Sequence, residues 1–514
     1  MRKYLTGIII TLLFSTHTQV KSATNDVILK AAVPVFIENF DWSLYSGGND
    51  NNWASIYGNT LNDAWGNVNL NYCSGANMCI CVGSSYAGDV TISGIPNSPL
   101  FITLRAGAYL DKEENSTTVN FDASATSSVT VYPNKFSNVR RSFNGTNSKG
   151  NIVISGDDNK YNRKFYIDDI VVYSVTDDIE KLKNASRIVL AVATYTHEQI
   201  ELLKEIVKEN KNLTSIDLWS ATVNEKFELE PGNPNCIIYD PNNYVTNTTN
   251  VAHCSGTTKD LNTYVCESLV IEDGCPFGAM YGFTAKNISY DRKFAQTGEN
   301  YFSTMCLPFS LDKDNTKIHK LLSFTRHDSS NNLMVFDEAS KIEANVPYVI
   351  SVANEQPFID MLGINADIPA TSPRIIWEKI PDAADNATKE RAKNCRLCGT
   401  YETRTDITSN NTQTVYGFSS GKFVKVEEGC TFNPFRAYIT ITDNNNPTLS
   451  KEMKLATSDG VVGIKKMKKD NAQSATTVYT TEGTLMSKGN TYKEATEKLT
   501  EGIYIINGKK TIIR

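Results

Sequence analysis

Histidine is scarce in this chain of 514 residues, which holds five. Past the leader only His197, His253, His319 and His327 remain, and none forms H-E-x-x-H or another paired-ligand spacing, which argues against a catalytic zinc. A basic excess is missing too. The 51 Lys and Arg against 57 Asp and Glu leave a formal charge of −6, so nucleic acid is not an expected partner. Beyond the N-terminus no apolar run reaches the ~20 residues of a membrane-spanning helix. Walker and G-x-G-x-x-G loops are absent. No catalytic residue is assigned.

What is present points outward and to β-structure. Arg2 and Lys3 precede the apolar run Leu5 to Phe14, and Val20-Lys21-Ser22-Ala23 offers small residues for cleavage. Residues 1–23 therefore read as a signal peptide, and the protein as exported to the cell surface or beyond. Export permits disulfides, but eleven cysteines are an odd number and their pairing does not follow from spacing. Cys395-Arg396-Leu397-Cys398 is a lone CxxC in β-like sequence, where a structural role is expected over zinc or redox chemistry.

The fold class expected is mainly β and multidomain, and roughly 150 residues per domain gives three or four domains. Residues 24–176 alternate in short runs between Gly, Asn and Ser turns, as a β-sandwich jelly roll does. Residues 177–245 form a short α/β unit. Arg187–Tyr195 is a buried-strand run, Thr196 and Gln199 make a capping box, and Ile200, Leu203, Ile206 and Val207 share a helical face. Residues 246–457 are again β-rich, and 458–475 are a linker with Lys465, Lys466, Lys468 and Lys469. Residues 476–514 form a small C-terminal β-module, in which Asn507-Gly508 marks a hairpin.

Several stretches carry family wording. Phe36-Ile37-Glu38-Asn39-Phe40-Asp41, Ser46-Gly47-Gly48-Asn49-Asp50, Ala76-Asn77-Met78-Cys79 and Phe165-Tyr166-Ile167-Asp168-Asp169-Ile170 resemble the galactose-binding-like jelly rolls of Bacteroidales surface proteins. The L-x-x-I-x-L of Leu213–Leu218 resembles a single leucine-rich repeat, and Asn233 to Tyr239 the end of the leucine-rich region in BspA-like proteins. One copy cannot bury its faces, so a stub packed on a neighbour is expected. Gly502-Ile503-Tyr504-Ile505-Ile506-Asn507-Gly508 and the residues after it resemble a type IX secretion sorting domain, which implies the secretion machinery as a partner.

The jelly-roll resemblance also implies a structural calcium joining first and last strands. Glu38 and Asp41 lie on the first, Asp168 and Asp169 on the last; alternation sends the latter two to opposite faces, so Glu38 and Asp169 are the expected metal ligands. Trp42, Tyr45, Trp53, Tyr57 and Trp65 cluster in loop-rich sequence. Flat aromatic faces suit a sugar ring, and Trp42, Trp53 and Tyr57 are the expected ligand-binding residues. The function expected is cell-surface binding or adhesion, with carbohydrate or host glycoprotein as ligand. The alternatives are an exported glycosidase-like hydrolase, for which Glu228 and Glu230 are an acidic pair, and a structural surface component.

Overall fold

The computed structural model of the protein describes residues 27–43, 47–49, 53, 60–61, 64–109, 116–157, 164–254, 264–292, 294, 301–352, 358–361, 365–371, 376–377, 388, 391–392, 394–410, 412–442, 449–457, 460–461, 476–480, 485–489, 492–506 and 509–513. The leader and most of the lysine-bearing linker fall outside these residues. The described chain is mainly β. None of its helices is long and apolar enough to cross a membrane.

Two antiparallel sheets face each other in the N-terminal segment. One runs in the order Thr126–Val131, Thr117–Asp122, Ile152–Gly156, Asp89–Ile92, Val68–Asn71 and Ala64–Trp65. The other centres on Phe165–Thr176, which pairs with Ala31–Glu38, Leu100–Ala108 and Ile80–Val82. The period-two pattern builds the core. Val68, Leu70, Val90, Ile92, Ile152 and Ile154 point in from the first sheet and meet Ile102, Leu104, Ile167 and Val172 from the second. Leu100–Ala108 is buried on both faces, because its outer side is covered by the rest of the molecule.

The sandwich does not end at residue 176. Ala31 and Ala32 pair with Thr176 and Val175 on one edge and with Leu190 and Val189 on the other, so the first strand belongs to two units at once. Beyond it Arg187–Leu190, Ser215–Asp217, Ile237–Tyr239 and Val251–Cys254 form a parallel ladder. The expected α/β unit of residues 177–245 supplies three of these four strands. The ladder also crosses the expected boundary at 245–246, reaching Tyr264–Cys266, Phe283–Ala285 and Ala366–Ile368. Four asparagines, 210, 233, 235 and 250, each donate to two backbone carbonyls at 2.8–2.9 Å, satisfying turns that the sheet leaves open.

Helix His197–Glu209 forms as its sequence implies. Thr196 and Gln199 close the capping box, and Ile200, Leu203, Ile206 and Val207 are buried. Truncating Leu203 to Ala would cost about 2–5 kcal/mol.

The central β-rich part holds an eleven-stranded sheet spanning Tyr301–Cys306 to Gly460–Val461. Cys395 and Cys398 lie in its Cys395–Thr400 strand, an odd number of residues apart, and therefore point to opposite faces. Cys395 joins the cluster of Leu322 and Phe336, whereas Cys398 joins that of Ile407 and Val426. The two thiols of the CxxC thus do not face one shared site. At the C-terminus four strands form a separate sheet, with Ile506 opposite Lys509 across the expected two-residue connection.

Candidate functional site

The two acidic residues of the last sandwich strand converge on an arginine. Asp169 has φ 50°, and the pairing of its strand with Leu100–Ala108 shifts register between Asp168 and Val171. This bulge breaks the alternation that would have separated the two acids. Both reach Arg105. Its Nε donates to Asp169 at 2.7 Å and its terminal nitrogen donates to Asp168, which also accepts from the Asn49 amide at 3.0 Å. Glu38 instead accepts from the backbone N–H of Phe40 at 2.9 Å. An arginine therefore supplies positive charge to both acids of the last strand. Among the described residues no three His, Cys, Asp or Glu side chains gather in a way that would hold a metal.

The expected aromatic ligand residues part company. Trp53 is 7% exposed, with its ring against Phe136 at 5.2 Å and edge-on to Tyr166 at 5.6 Å. A Cβ on Gly107 would stand 2.7 Å from the indole, so that side is closed by backbone. Trp53 is a core residue with no face left for a ligand. Trp42 remains open on the surface, edge-on to Phe40. Tyr45 and Tyr57 lie outside the described residues.

A pair that the sequence did not single out is better placed. Tyr72 and Tyr86 are 36% and 62% exposed, with ring centroids 5.2 Å apart and planes tilted by 37°. Parity would bury Tyr72, since Val68 and Leu70 at the same alternation point into the core. Its φ of 50° turns it outward. The loop of Tyr86 is held against it by tight backbone packing. Gly83 N–H donates to the Tyr72 carbonyl at 3.0 Å, and any Cβ at Gly88 would lie 2.8 Å from that same oxygen. Beside the rings the Asn71 amide donates to Asp89 at 3.0 Å, and the Thr91 hydroxyl donates to the other Asp89 oxygen at 3.0 Å. Two flat apolar faces next to an ordered amide and carboxylate can stack on and hydrogen-bond a polyhydroxylated ring. Turn residues Gly83 and Gly88 around an aromatic were the available signal.

Other candidates disperse. His197 sits exposed at its helix start, 2.6 Å from Glu225. His253 Nδ1 meets the Asp240 carbonyl at 3.0 Å. Glu228 and Glu230 are both exposed, with Lys208 3.7 Å from the latter. Gly417-Phe418-Ser419-Ser420-Gly421 has the G-x-S-x-G spacing, but Ser419 pairs with Lys422 in a hairpin, not at a strand-to-helix elbow.

No family model matches the chain, and no curated protein matches it. Solved structures do. The CBM22-1 xylan-binding domain of Paenibacillus barcinonensis Xyn10C is 10% identical, covering 28% of this chain and 96% of that one, with a TM-score of 0.19. A family 16 carbohydrate-binding module is 14% identical over 21% and 86%, with a TM-score of 0.16. A family 29 carbohydrate-binding module from Piromyces equi is 11% identical over 27% and 89%, with a TM-score of 0.16. Likenesses this weak assign no ligand, and the sandwich is read from its own strand pairing.

Proposed function

We propose that the protein is an exported, non-enzymatic binding protein of the cell surface that takes a glycan on the Tyr72–Tyr86 platform. The observation that carries this reading is the side-by-side exposure of two tyrosine rings beside the hydrogen-bonded Asn71–Asp89 pair. Surface tyrosines that merely fill space need no such setting, whereas sugar recognition needs an apolar plane with fixed polar groups at its rim. Residues 1–23 would direct export and 476–514 would be read by the secretion machinery.

The test is glycan-array binding by the full mature chain and by a Tyr72→Ala/Tyr86→Ala double variant. Binding by the parent and its loss in the variant, at an unchanged melting temperature, is the expected result. Equal retention by both would end the platform assignment. Fractionation of cells expressing the chain with and without 476–514 tests the address, which predicts accumulation of the truncated form inside the envelope.

A further inference from the structure

Adjacent to the tyrosine platform lies the open face of the Val68–Asn71 sheet, whose side chains form a register. Asn71 pairs with Asp89, Asp89 with Ser155, Ser155 with Asn120, and Asn120 with Ser128. All five stand at positions opposite in parity to the core residues Leu70, Val90, Ile154, Val119 and Val129, so they project from one face in a straight line across five strands. At about 4.8 Å between strands the line is roughly 19 Å long. Tyr72 follows Asn71 directly and puts the aromatic pair at one end.

The strands of this face contribute only acidic charge. The strands Val68–Asn71, Asp89–Ile92, Ile152–Gly156, Thr117–Asp122 and Thr126–Val131 contain no lysine or arginine, and their ionisable residues are Asp89 and Asp122. Arg141, from the opposite sheet, reaches the far end of the line, where it is spent on the Ser128 carbonyl at 2.7 Å and the Phe121 ring at 5.9 Å.

We infer that the ligand is an extended, uncharged oligosaccharide of about four sugar units, stacked at Tyr72 and Tyr86 and hydrogen-bonded along Asn71, Asp89, Ser155, Asn120 and Ser128. The line supplies amide and hydroxyl groups at regular spacing, with the Asn71 amide held by Asp89 and the Asn120 amide by the Gly156 carbonyl at 3.3 Å, which a chain of hydroxyl-bearing rings can match. Its carboxylates repel sulfated and uronic-acid polymers. This rests on the glycan reading above and goes beyond it by naming the chain length and charge.

Calorimetry on the full mature chain with neutral β-linked oligosaccharides of one to six units, and with polygalacturonate and heparin, tests it. Affinity should rise about ten-fold or more from one unit to four, then level, and the anionic polymers should not compete. Asn120→Ala/Ser128→Ala should remove the gain between two and four units while leaving binding of the disaccharide. If that variant keeps the full length dependence, or if heparin competes, the extended neutral ligand is wrong although the tyrosine platform stands. If Tyr72→Ala/Tyr86→Ala leaves every affinity unchanged, or nothing in the panel binds the parent, both readings fall.

Discussion

Asp168 and Asp169 are neighbours in one strand, yet both carboxylates grip the guanidinium of Arg105. A regular strand would send them to opposite faces. The left-handed backbone of Asp169 is what brings them together, and Phe40 and Met78, which flank the same cluster, share that conformation at φ 49° and 53°. Asn49 ties the pieces, donating to the Met78 carbonyl at 2.9 Å as well as to Asp168. Strained non-glycine residues gathered around a buried charge persist only where the surroundings compel them. Here the compelling element is the arginine.

Arg105→Ala should therefore cost about 1–3 kcal/mol, because it leaves the buried Asp168 carboxyl without its hydrogen-bond donor. Urea denaturation of parent and variant measures the loss. Adding EDTA or calcium to the parent should leave its melting temperature unchanged. A calcium-dependent melting temperature would return the cation role to a metal.

The same cluster sets a pH dependence. Burial and then the neighbouring Asp169 push Asp168 well above the usual carboxylate range, against the opposing pull of Arg105 and Asn49. Burial, then Asp168 and Asp169, hold Asp41 well above the usual carboxylate range. Above an unfolded pKa of about 4, and until the raised native pKa values are passed, the native state holds more protons than the unfolded chain, so stability falls as pH rises. The urea midpoint should be higher at about pH 5 than at about pH 8.5, and Asp168→Asn should flatten the slope. A parent whose stability climbs over this interval contradicts the assignment.

The same physics explains how far the sequence could be read. Turn spacing and alternation revealed the sandwich, the capping box at Thr196 and Gln199 marked its helix, and the C-terminal hairpin followed from Asn507-Gly508. Alternation misled at Asp169 and at Tyr72, where a left-handed residue inside or beside a strand reverses the face. Tyrosine seldom adopts that conformation, and aspartate, which visits it more readily, sits here in a run that reads as unbroken strand. The ladder was under-read because its strands are only three or four residues long and unevenly spaced. Trp53 was misplaced because loop-rich sequence surrounds it, although its partners Phe136 and Tyr166 lie far along the chain.

Trp53 and the tyrosine pair should accordingly respond in opposite ways to truncation. Trp53→Ala removes a buried indole and should destabilise by about 3–5 kcal/mol. Tyr72→Ala and Tyr86→Ala act at the surface and should each shift stability by about 0.5 kcal/mol or less, while carrying the loss of glycan binding. Thermal melts and calorimetric titrations on the three variants separate the two effects. A stable Trp53→Ala variant that fails to bind would restore Trp53 to the ligand site.

The first strand makes a last prediction, that residues 24–176 will not fold cleanly when cut out. Ala31 and Ala32 would lose their pairing with Leu190 and Val189. Phe101, Val171 and Tyr173, buried against the tyrosines 239, 264 and 281 in one continuous core, would face water. Arg140, which donates to Asp217 at 2.8 Å and to Ser220 at 3.0 Å, would lose both partners. Exposing a large apolar face while unpairing a buried cation favours an expanded, dye-binding state over a native one. The isolated fragment should bind a hydrophobic dye and melt without a cooperative transition, whereas a fragment of residues 24–461 should do neither. A sharply melting, dye-free 24–176 fragment would show that the shared strand joins two independent domains and does not hold one together.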